Sequence, residues 1–339
     1  MVRVVRATQT EIEAAVEFLR AGELVAFPTE TVYGLGGNAS NPAAVRKIFE
    51  VKGRPANHPV IVHIDSIRYL HRWVSEVPPL AQQLAERFWP GPLTLVMPRG
   101  PNVNDVVTGG QDTIAIRVPA HPMAQQLLTA FGGGIAAPSA NRFGRLSPTR
   151  AEHVREELGD AVKLVLDGGE CQIGLESTIV ACLEGRARLL RPGAVTLAQI
   201  RGLIGAVDVG AAPGAPRVPG STPAHYAPVT ALEVVPLDRL EELVASHAQA
   251  GRKVAVLAMR TPQRAHRNAT WINASRRPET YAHNLYAYLR TLDKVGASRI
   301  LVQEVPAEER WDAVRDRLSR ASASSQTPLP EDGAGGVLP

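Results

Sequence analysis

The sequence predicts an α/β protein whose main sheet mixes parallel and antiparallel strands, followed by a smaller, Rossmann-like α/β unit. Short apolar runs alternate with helical patterns from the N-terminus to about Thr196. This mixture favours a mixed sheet over a pure βαβ repeat. A Gly-, Ala- and Pro-rich stretch then follows at 210–228, after which strand and helix patterns resume. The predicted boundaries are 1–200 for the first domain, 201–230 for a linker, 231–320 for the second domain and 321–339 for a disordered tail.

The first domain carries two helix starts and a series of strand patterns. Thr10 and Glu13 match a capping box and predict an amphipathic helix that ends near Arg20. Asn41 before Pro42 predicts the N-cap and first residue of a second helix, which ends near 51. Buried strands are predicted at 24–27, 60–64, 93–97, 113–118, 135–137, 164–166, 178–181 and 188–190.

The second domain repeats the alternation on a smaller scale. The predicted strands are 232–235, 254–257 and 300–302, and the predicted helices are 237–250, 278–294 and 307–320. The stretch from 321 is rich in Ser, Pro and Gly and predicts disorder.

Composition narrows the class of protein. Hydrophobic residues make up 45% and charged residues 21%, which is typical of a globular protein with a proper core. A net charge of +4 permits a polyanionic partner without requiring one. Cys171 and Cys182 have no metal-ligand spacing. The sequence has neither a signal-peptide pattern nor an apolar run long enough to cross a bilayer, so we expect a cytoplasmic enzyme that does not bind membranes.

Lys52 and Arg54 are the first candidate ligand-binding residues. They follow a predicted helix in a Gly/Pro loop, while the hydroxyl- and glycine-rich run from Pro28 to Gly36 follows the predicted strand 24–27. Arginine offers a planar fork and lysine a mobile point charge, and both suit a phosphate or a carboxylate. The alternative interpretation is two solvated cations favoured by the helix C-terminus.

His63 and Arg117 lie on predicted strands. A lone histidine among apolar residues is more often a hydrogen-bonded core residue than a ligand contact. Thr113, Ala115 and Arg117 share one face of their strand, because side chains alternate with a period of two. A buried arginine needs an anionic partner. That partner can be a structural carboxylate or a ligand, and the sequence leaves both open.

Small polar residues recur beside the other predicted strands. Ser139 and Asn141 follow the strand 135–137, with Ser147 shortly after, while Ser177 precedes a strand and Arg191 ends the series. Each could be turn chemistry alone. Their recurrence favours a site that positions anionic ligands. The sequence contains no phosphate-loop pattern, dinucleotide fingerprint, G-x-S-x-G elbow or zinc pattern.

These motifs together resemble the YrdC-domain family over about 8–200. The motifs are Pro28-Thr29-Glu30-Thr31-Val32-Tyr33-Gly34-Leu35, Lys52-Gly53-Arg54-Pro55, Ser139-Ala140-Asn141, Glu176-Ser177-Thr178-Ile179 and Arg191-Pro192-Gly193. The element His225-Tyr226-Ala227-Pro228 and the second domain look like the longer members, the L-threonylcarbamoyladenylate synthases. The resemblance implies a twisted, open mixed sheet around a large, concave, positively charged cavity, with 1–200 as the catalytic domain.

The resemblance also implies a reaction. L-threonine, bicarbonate and ATP would give threonylcarbamoyl-AMP and pyrophosphate, with Mg²⁺ accompanying ATP. Partner proteins would then transfer the threonylcarbamoyl group to tRNA, forming N6-threonylcarbamoyladenosine.

The resemblance further implies a role for individual residues. Lys52 and Arg54 would be catalytic by neutralising phosphates, and Tyr226 on the linker would form a lid. The residues implied to bind threonine are Thr31, His63, Arg117 and Ser177. The residues implied to bind the nucleotide are Lys52, Arg54, His58, Thr113, Ser139, Asn141, Ser147, Arg191 and Tyr226. No protein ligand for a metal is implied.

Two other functions stay open at this stage. An RNA-binding module would suit the slightly basic charge, and weak tRNA or RNA binding could also accompany the enzyme activity. A related enzyme that uses carbamoyl phosphate would carry cysteine clusters, whereas this chain has two cysteines in all.

Overall fold

The computed structural model describes residues 3–6, 8–210, 212 and 214–324. Two sheets organise this part of the chain. One has eleven strands and the other has four. The predicted α/β class, with a large mixed sheet and a second, smaller α/β unit, is confirmed.

The eleven-stranded sheet forms the first unit. Its order is β1-β8-β2-β3-β7-β4-β6-β5-β9-β10-β11, with both parallel and antiparallel neighbours. Its strands are β1 (Arg3–Arg6), β2 (Val25–Phe27), β3 (Gly34–Asn38), β4 (Ile61–His63), β5 (Leu93–Pro98), β6 (Thr113–Arg117), β7 (Ile135–Ala136), β8 (Leu164–Asp167), β9 (Thr178–Leu183), β10 (Arg186–Arg191) and β11 (Asp208–Val209). Its helices are α1 (Gln9–Arg20), α2 (Pro42–Lys52), α3 (Pro79–Phe88), α4 (Asp105–Thr108), α5 (Pro122–Phe131), α6 (Ala151–Leu158) and α7 (Leu197–Ile204), with 3₁₀ turns at Ile67–Arg72 and Gly159–Ala161.

The strand β3 was not predicted, because its sequence is Gly-Leu-Gly-Gly-Asn. It nevertheless pairs antiparallel with both β2 and β7 at the centre of the sheet. The glycines are required by close packing. A Cβ at Gly36 would lie 2.8 Å from the Phe27 ring and 2.9 Å from the Ile135 side chain. Strand formation here depends on neighbours that the local sequence does not reveal.

The helix ends show one correct and one wrong capping prediction. Asn41 caps α2 as predicted, accepting hydrogen bonds from the amides of Ala43 and Ala44. The predicted Thr10 cap is wrong, because Thr8 is the N-cap of α1 and Thr10 lies inside the helix. The side chain of Thr8 accepts from the Glu11 amide, so the same type of residue acts two positions earlier.

The four-stranded sheet forms the second unit, and all its strands are parallel in the order β12-β15-β13-β14. Its strands are β12 (Leu232–Val235), β13 (Val254–Ala258), β14 (Ala269–Asn273) and β15 (Arg299–Gln303). Its helices are α8 (Leu237–Gln249), α9 (Pro278–Asp293) and α10 (Asp312–Ser324), with a 3₁₀ turn at Glu309–Trp311 before α10. The strands β1, β11 and β14 were not predicted.

The two units share a hydrophobic core. Tyr281 and Tyr286 of α9 belong to a buried cluster that also includes Val32, Leu146 and Leu175 of the first unit. These three residues come from loops beside the predicted ligand-binding motifs. The second unit therefore packs directly against the region that carries those motifs.

The remaining predictions concern the linker and the tail. The linker was predicted from 201, but α7 continues to Ile204 and β11 follows. The described residues from 210 to 231 form no helix or longer strand. Residues 321–324 were assigned to a disordered tail, yet they form the last turn of α10, because Ala321 is buried in the shared core. Residues 325–339 lie outside the described part. Within the described residues, no helix is long and apolar enough to cross a membrane.

Candidate active site

A cavity lies against the central strands of the first unit. It is lined by Thr29, Thr31, Val32, Gly34, Arg54, Ile61, His63, Arg117, Ala137, Pro138, Ser139, Glu176, Ser177, Arg191, Pro219, Gly220, His225 and Tyr226. Three arginines therefore face one space. Pro219, Gly220, His225 and Tyr226 of the segment 210–231, called the connecting segment below, form part of its lining, and about 50 Å³ is open to a water-sized molecule.

Arg117 forms a buried ion pair with Glu30. Its Nη2 lies 2.5 Å from Oε1 of Glu30, and both side chains are 4% exposed. Its Nη1 donates to the Thr31 hydroxyl and its Nε donates to the Gly91 carbonyl. The second carboxylate oxygen of Glu30 accepts from the Ala120 amide. The buried arginine thus has a structural carboxylate partner, while two of its five N–H groups stay available to a ligand.

The hydroxyl of Thr29 shapes the loop that carries Glu30 and Thr31. It accepts from the amides of Thr31 and Val32 and donates to the Val32 carbonyl. It also lies 2.8 Å from the Thr31 hydroxyl. This local turn holds Thr31 between Thr29 and Arg117. The sequence places threonine here because its hydroxyl can replace backbone partners in a tight turn.

His63 faces the same half of the cavity. It pairs with Arg117 in the β4–β6 register and is 3% exposed. Its Nδ1 is buried and has no hydrogen-bond partner in the described structure. Burial, together with the nearby Arg117 charge, lowers the pKa of His63 to about 3. The imidazole is therefore neutral at neutral pH, and Nδ1 is a polar atom with capacity for a ligand.

Arg54 occupies the other half of the cavity. Its Nη2 donates to the Pro59 carbonyl at 2.8 Å, and its guanidinium stands 5.9 Å from the centre of the Phe143 ring. Its Nε is buried without a hydrogen-bond partner in the part of the chain that is described. Burial lowers the pKa of Arg54 to about 10, so the group stays charged at neutral pH.

Lys52 lies behind the cavity wall, not on it. Its Nζ donates to the carbonyls of Ser139 and Asn141, and the side chain is 3% exposed. Burial and the adjacent Arg54 charge hold the pKa of Lys52 well below its usual value. The lysine therefore fixes the Ser139–Asn141 loop, whose Ser139 does line the cavity.

Arg191 links the start of β9 to the connecting segment. Its Nε and Nη2 donate to the Ser177 carbonyl, and Nη2 also donates to the Ser177 hydroxyl. Its Nη1 donates to the Pro219 carbonyl at 2.8 Å. The Ser177 hydroxyl is shared with Thr94 at 2.7 Å. An incoming anion at Arg191 would compete with the Pro219 carbonyl.

The connecting segment closes the cavity with two aromatic residues. Tyr226 is 2% exposed and has a backbone φ of +61°, a left-handed conformation uncommon for a residue with a side chain. The rings of His225 and Tyr226 have centroids 4.2 Å apart. A Cβ at Gly220 would overlap the Tyr226 hydroxyl, so the segment can pass over the ring only as glycine. The segment occupies the space that a large ligand would need.

The structure brings most of the predicted site residues together. Those that line the cavity are Thr31, Arg54, His63, Arg117, Ser139, Ser177, Arg191 and Tyr226. The other predicted residues, which are not part of the lining, are Lys52, His58, Thr113, Asn141 and Ser147.

The residues outside the lining fall into two groups. Asn141 and Ser147 are buried beside the cavity, and His58 contacts the Phe143 ring, whose centroid is 5.4 Å away. Thr113 lies at the opposite end of β6 from Arg117, four residues away, which is about 13 Å along a strand. Their roles in binding stay predictions.

Ten further residues line the cavity but were absent from the predicted site, among them Glu176, His225 and Pro219. Glu176 and His225 lie within the motifs quoted above, next to predicted residues. The carboxylate of Glu176 and the imidazole ring of His225 were the features that could have identified them as site residues. Pro219 contributes a backbone carbonyl to Arg191, which no sequence pattern indicates.

Comparison with known proteins agrees with this arrangement. A family model described as "Telomere recombination" (Sua5_yciO_yrdC) matches residues 17–193, and one described as "Threonylcarbamoyl-AMP synthase, C-terminal domain" matches residues 195–323. Together they define a family of two-domain enzymes. The chain belongs to the threonylcarbamoyl-AMP synthase family.

Individual relatives match over nearly the whole chain. The threonylcarbamoyl-AMP synthase of Pyrococcus abyssi is 42% identical over 328 residues, covering 94% of this chain and 95% of the relative. That of Bacillus subtilis is 40% identical over 322 residues, covering 92% and 93%. The crystal structure of P. abyssi Sua5 complexed with L-threonine superposes with a TM-score of 0.88 at 40% identity, covering 96% of this chain and 98% of that one.

Proposed function

We propose that this chain synthesises threonylcarbamoyl-AMP from L-threonine, bicarbonate and ATP, releasing pyrophosphate and water. The observation that carries the proposal is a single cavity lined by Arg54, Arg117 and Arg191 together with three hydroxyl-bearing residues, Thr31, Ser139 and Ser177. Clustered guanidinium groups beside hydroxyls suit anionic groups such as carboxylates and phosphates. The chain would thus be a nucleotidyltransferase, moving AMP onto the carbamate of threonine.

L-threonine would bind in the Arg117 half. The free N–H groups of Arg117 suit the substrate carboxylate, and the Thr31 and Ser177 hydroxyls and His63 Nδ1 suit its hydroxyl and amine. The Glu30 charge already balances Arg117. A zwitterionic amino acid fits this half better than a polyphosphate does, because its own net charge is zero.

ATP would bind in the Arg54 half, with Ser139 and Arg191 beside the phosphates. The threonine carbamate and the α-phosphate are both anions, so catalysis would consist mainly of holding them in line and screening their repulsion. The carbamate oxygen would form the new bond to the α-phosphorus as the bond to pyrophosphate breaks. Lys52 would contribute by fixing the Ser139 loop and adding charge from behind the wall.

Mg²⁺ would enter with ATP. In such sites the ion is held largely by substrate phosphates and water, with few protein carboxylates, and it neutralises charge on the departing pyrophosphate. Within the described residues, no group of three or more His, Cys, Asp or Glu side chains could hold a metal ion.

The connecting segment would act as a lid. A cavity for a ligand of this size commonly has a volume of about 300–1,000 Å³, whereas only about 50 Å³ is open here. His225 and Tyr226 would therefore move to admit ATP and close again to exclude water from the labile carbamate and anhydride.

Replacing Tyr226 by alanine tests the lid. We expect the variant to release pyrophosphate while retaining less threonylcarbamoyl-AMP, because the intermediate is hydrolysed. Tyr69→Ala is the matched control, since Tyr69 lines a separate cavity of the first unit. An unchanged ratio of intermediate to pyrophosphate in Tyr226→Ala would contradict the lid.

The product would serve tRNA modification. We propose a cytoplasmic enzyme whose threonylcarbamoyl-AMP is taken up by proteins that transfer the group to tRNA, forming N6-threonylcarbamoyladenosine. Any direct contact with tRNA would be weak.

The decisive test is pyrophosphate release from ATP and Mg²⁺, with threonine and bicarbonate each omitted in turn. Release that needs both substrates supports the proposed reaction. Release with neither substrate would reject it. Absence of release, together with tight salt-dependent RNA binding, would indicate an RNA-binding module instead.

A further inference from the structure

The loop of residues 172–177 lies between the cavity and the second unit. Gly174 has a φ of +78°, and a Cβ at this position would lie 2.3 Å from the backbone carbonyl oxygen of His283 in α9. The Gln172 carbonyl lies 3.0 Å from Nδ1 of His283. Leu175 is 1% exposed and belongs to the shared core. The outer side of this loop is therefore seated on α9.

Glu176 continues the contact through its carboxylate. It accepts hydrogen bonds from the Tyr286 hydroxyl at 3.0 and 3.1 Å, from Nε of Arg317 at 2.9 Å and from the Ser147 hydroxyl at 2.5 Å. Tyr286 belongs to α9 and Arg317 to α10. Burial opposes ionisation of this carboxyl, but Arg317 and Arg191 hold its pKa below the usual value. A buried carboxylate of the first unit is thus stabilised chiefly by donors from the second.

The next residue, Ser177, faces the cavity. Its hydroxyl and carbonyl bind Arg191 on one side, while the Glu176 carboxylate binds α9 and α10 on the other. One peptide bond therefore separates a contact between the two units from a hydroxyl proposed to touch threonine. Because the two residues share a peptide bond in a buried loop, a shift of the Glu176 backbone is passed directly to Ser177.

We propose that Arg317 and Tyr286 are positioning residues through which the second unit sets the affinity of the site for threonine. This inference rests on the threonine site proposed above. The two residues act by holding Glu176, which fixes Ser177 at the cavity wall. Arg317 also donates to the Pro192 carbonyl beside Arg191, whose strand β10 is held in addition by hydrogen bonds to β9.

The helix α10, which carries Arg317, also contacts the connecting segment. The guanidinium of Arg317 stands 5.3 Å from the centre of the Tyr226 ring. Arg320, one turn further on, donates to the Thr222 carbonyl, and its own carbonyl accepts from the His225 amide. The helix α10 therefore contacts both the 172–177 loop and the connecting segment.

The test compares Arg317→Met and Tyr286→Phe with the control Lys294→Met. Lys294 pairs with Glu156 of the first unit at 2.8 Å in an exposed part of the contact between the two units, away from Glu176. We expect the KM for threonine to rise about tenfold in Arg317→Met and about threefold in Tyr286→Phe. In Tyr286→Phe the KM for ATP should change less than about twofold, and the control should match the wild type.

Rescue separates positioning from general stability. Arg317→Lys keeps the charge but loses the planar fork, so we expect a threonine KM between those of Arg317→Met and the wild type. Arg317→Met combined with Glu176→Gln removes the buried unpaired charge and should recover thermal stability. It should not recover the threonine KM, because the loop has still lost its anchor. Recovery of both together would overturn the proposal.

Backbone amide exchange of residues 172–178 provides a readout independent of the substrate. We expect faster exchange there in Arg317→Met and in Tyr286→Phe, but not in Lys294→Met. Unchanged exchange in both variants would overturn the proposal. If the wild-type protein releases pyrophosphate without threonine, the proposed function fails, yet the exchange measurement still decides whether α9 and α10 order the loop.

Discussion

The Arg117 half of the cavity and the Arg54 half both present guanidinium groups, but they differ in charge balance. Arg117 is paired with the buried carboxylate of Glu30. In the part of the chain that the structure describes, Lys52, Arg54 and Arg191 form no ion pair and donate to backbone carbonyls and a serine hydroxyl. One half is close to neutral, whereas in the other Arg54 stays charged without a carboxylate in ion-pair contact, and Arg191 interacts only at longer range with Glu176.

This difference separates two ligands that bind side by side. A net positive charge in the site does not increase the affinity for a zwitterion, whose own net charge is zero. It strongly increases the affinity for a polyphosphate, which is an anion. Backbone carbonyls hold Arg54 and Arg191 in place without cancelling their charge. Ion pairing can therefore distinguish a site for threonine from a site for ATP although both use arginine.

The largest effect is expected from Arg54→Met, which removes positive charge from the Arg54 half of the cavity. We expect kcat/KM to fall about a thousandfold, or about 4 kcal/mol, because a preorganised charged donor aimed at the phosphates is lost. Threonine binding measured by calorimetry should be nearly unchanged. Arg142→Met, which removes an exposed arginine of the neighbouring loop, is the matched control. A loss below tenfold in Arg54→Met would contradict the division of the cavity.

The next largest effect concerns the Arg117 half of the cavity. Glu30→Gln leaves Arg117 buried without its carboxylate, and we expect the free energy of unfolding to fall by about 3 kcal/mol. The carboxylate of added threonine would replace part of the missing charge, so threonine should raise the melting temperature more in the variant than in the wild type. Glu23→Gln breaks the more exposed pair with Lys47 and should cost less than about 1 kcal/mol. Equal losses in both variants would argue against a buried, functional ion pair.

The fold was predictable where the signals are local. The helix α2 has Asn41 and Pro42 at its start, and β13 of the second unit is a continuous apolar run. The helices α3, α5 and α6 were missed, because their N-caps are Pro78, His121 and Arg150, none of which is a typical capping residue. The helix α7 was also missed although its sequence contains a capping box.

The sequence identified most of the site residues, but it did not identify the side chains with which they form ion pairs and hydrogen bonds. The motifs identified Arg117 and left its partner open, because Glu30 lies 87 residues away in the chain. Glu176 stood in a quoted motif, yet its partners Tyr286 and Arg317 are 110 and 141 residues away. Side-chain chemistry states what a residue can bind, whereas the fold decides which of its bonding groups are already used.

The smallest effect is a pH dependence of the free energy of unfolding, caused by His63 in the Arg117 half of the cavity. Because the pKa of His63 is about 3 in the folded protein, the unfolded chain takes up a proton below about pH 6.5 that the folded protein refuses. At pH 5.5 the folded state should therefore be about 1.4 kcal/mol less stable than it is well above pH 6.5. Urea denaturation at several pH values should show a shallower decline in His63→Gln, whereas His71→Gln, which removes an exposed histidine, should follow the wild type. An unchanged slope in His63→Gln would mean that His63 is protonated beside Arg117, and the Arg117 half would then not be neutral in acid.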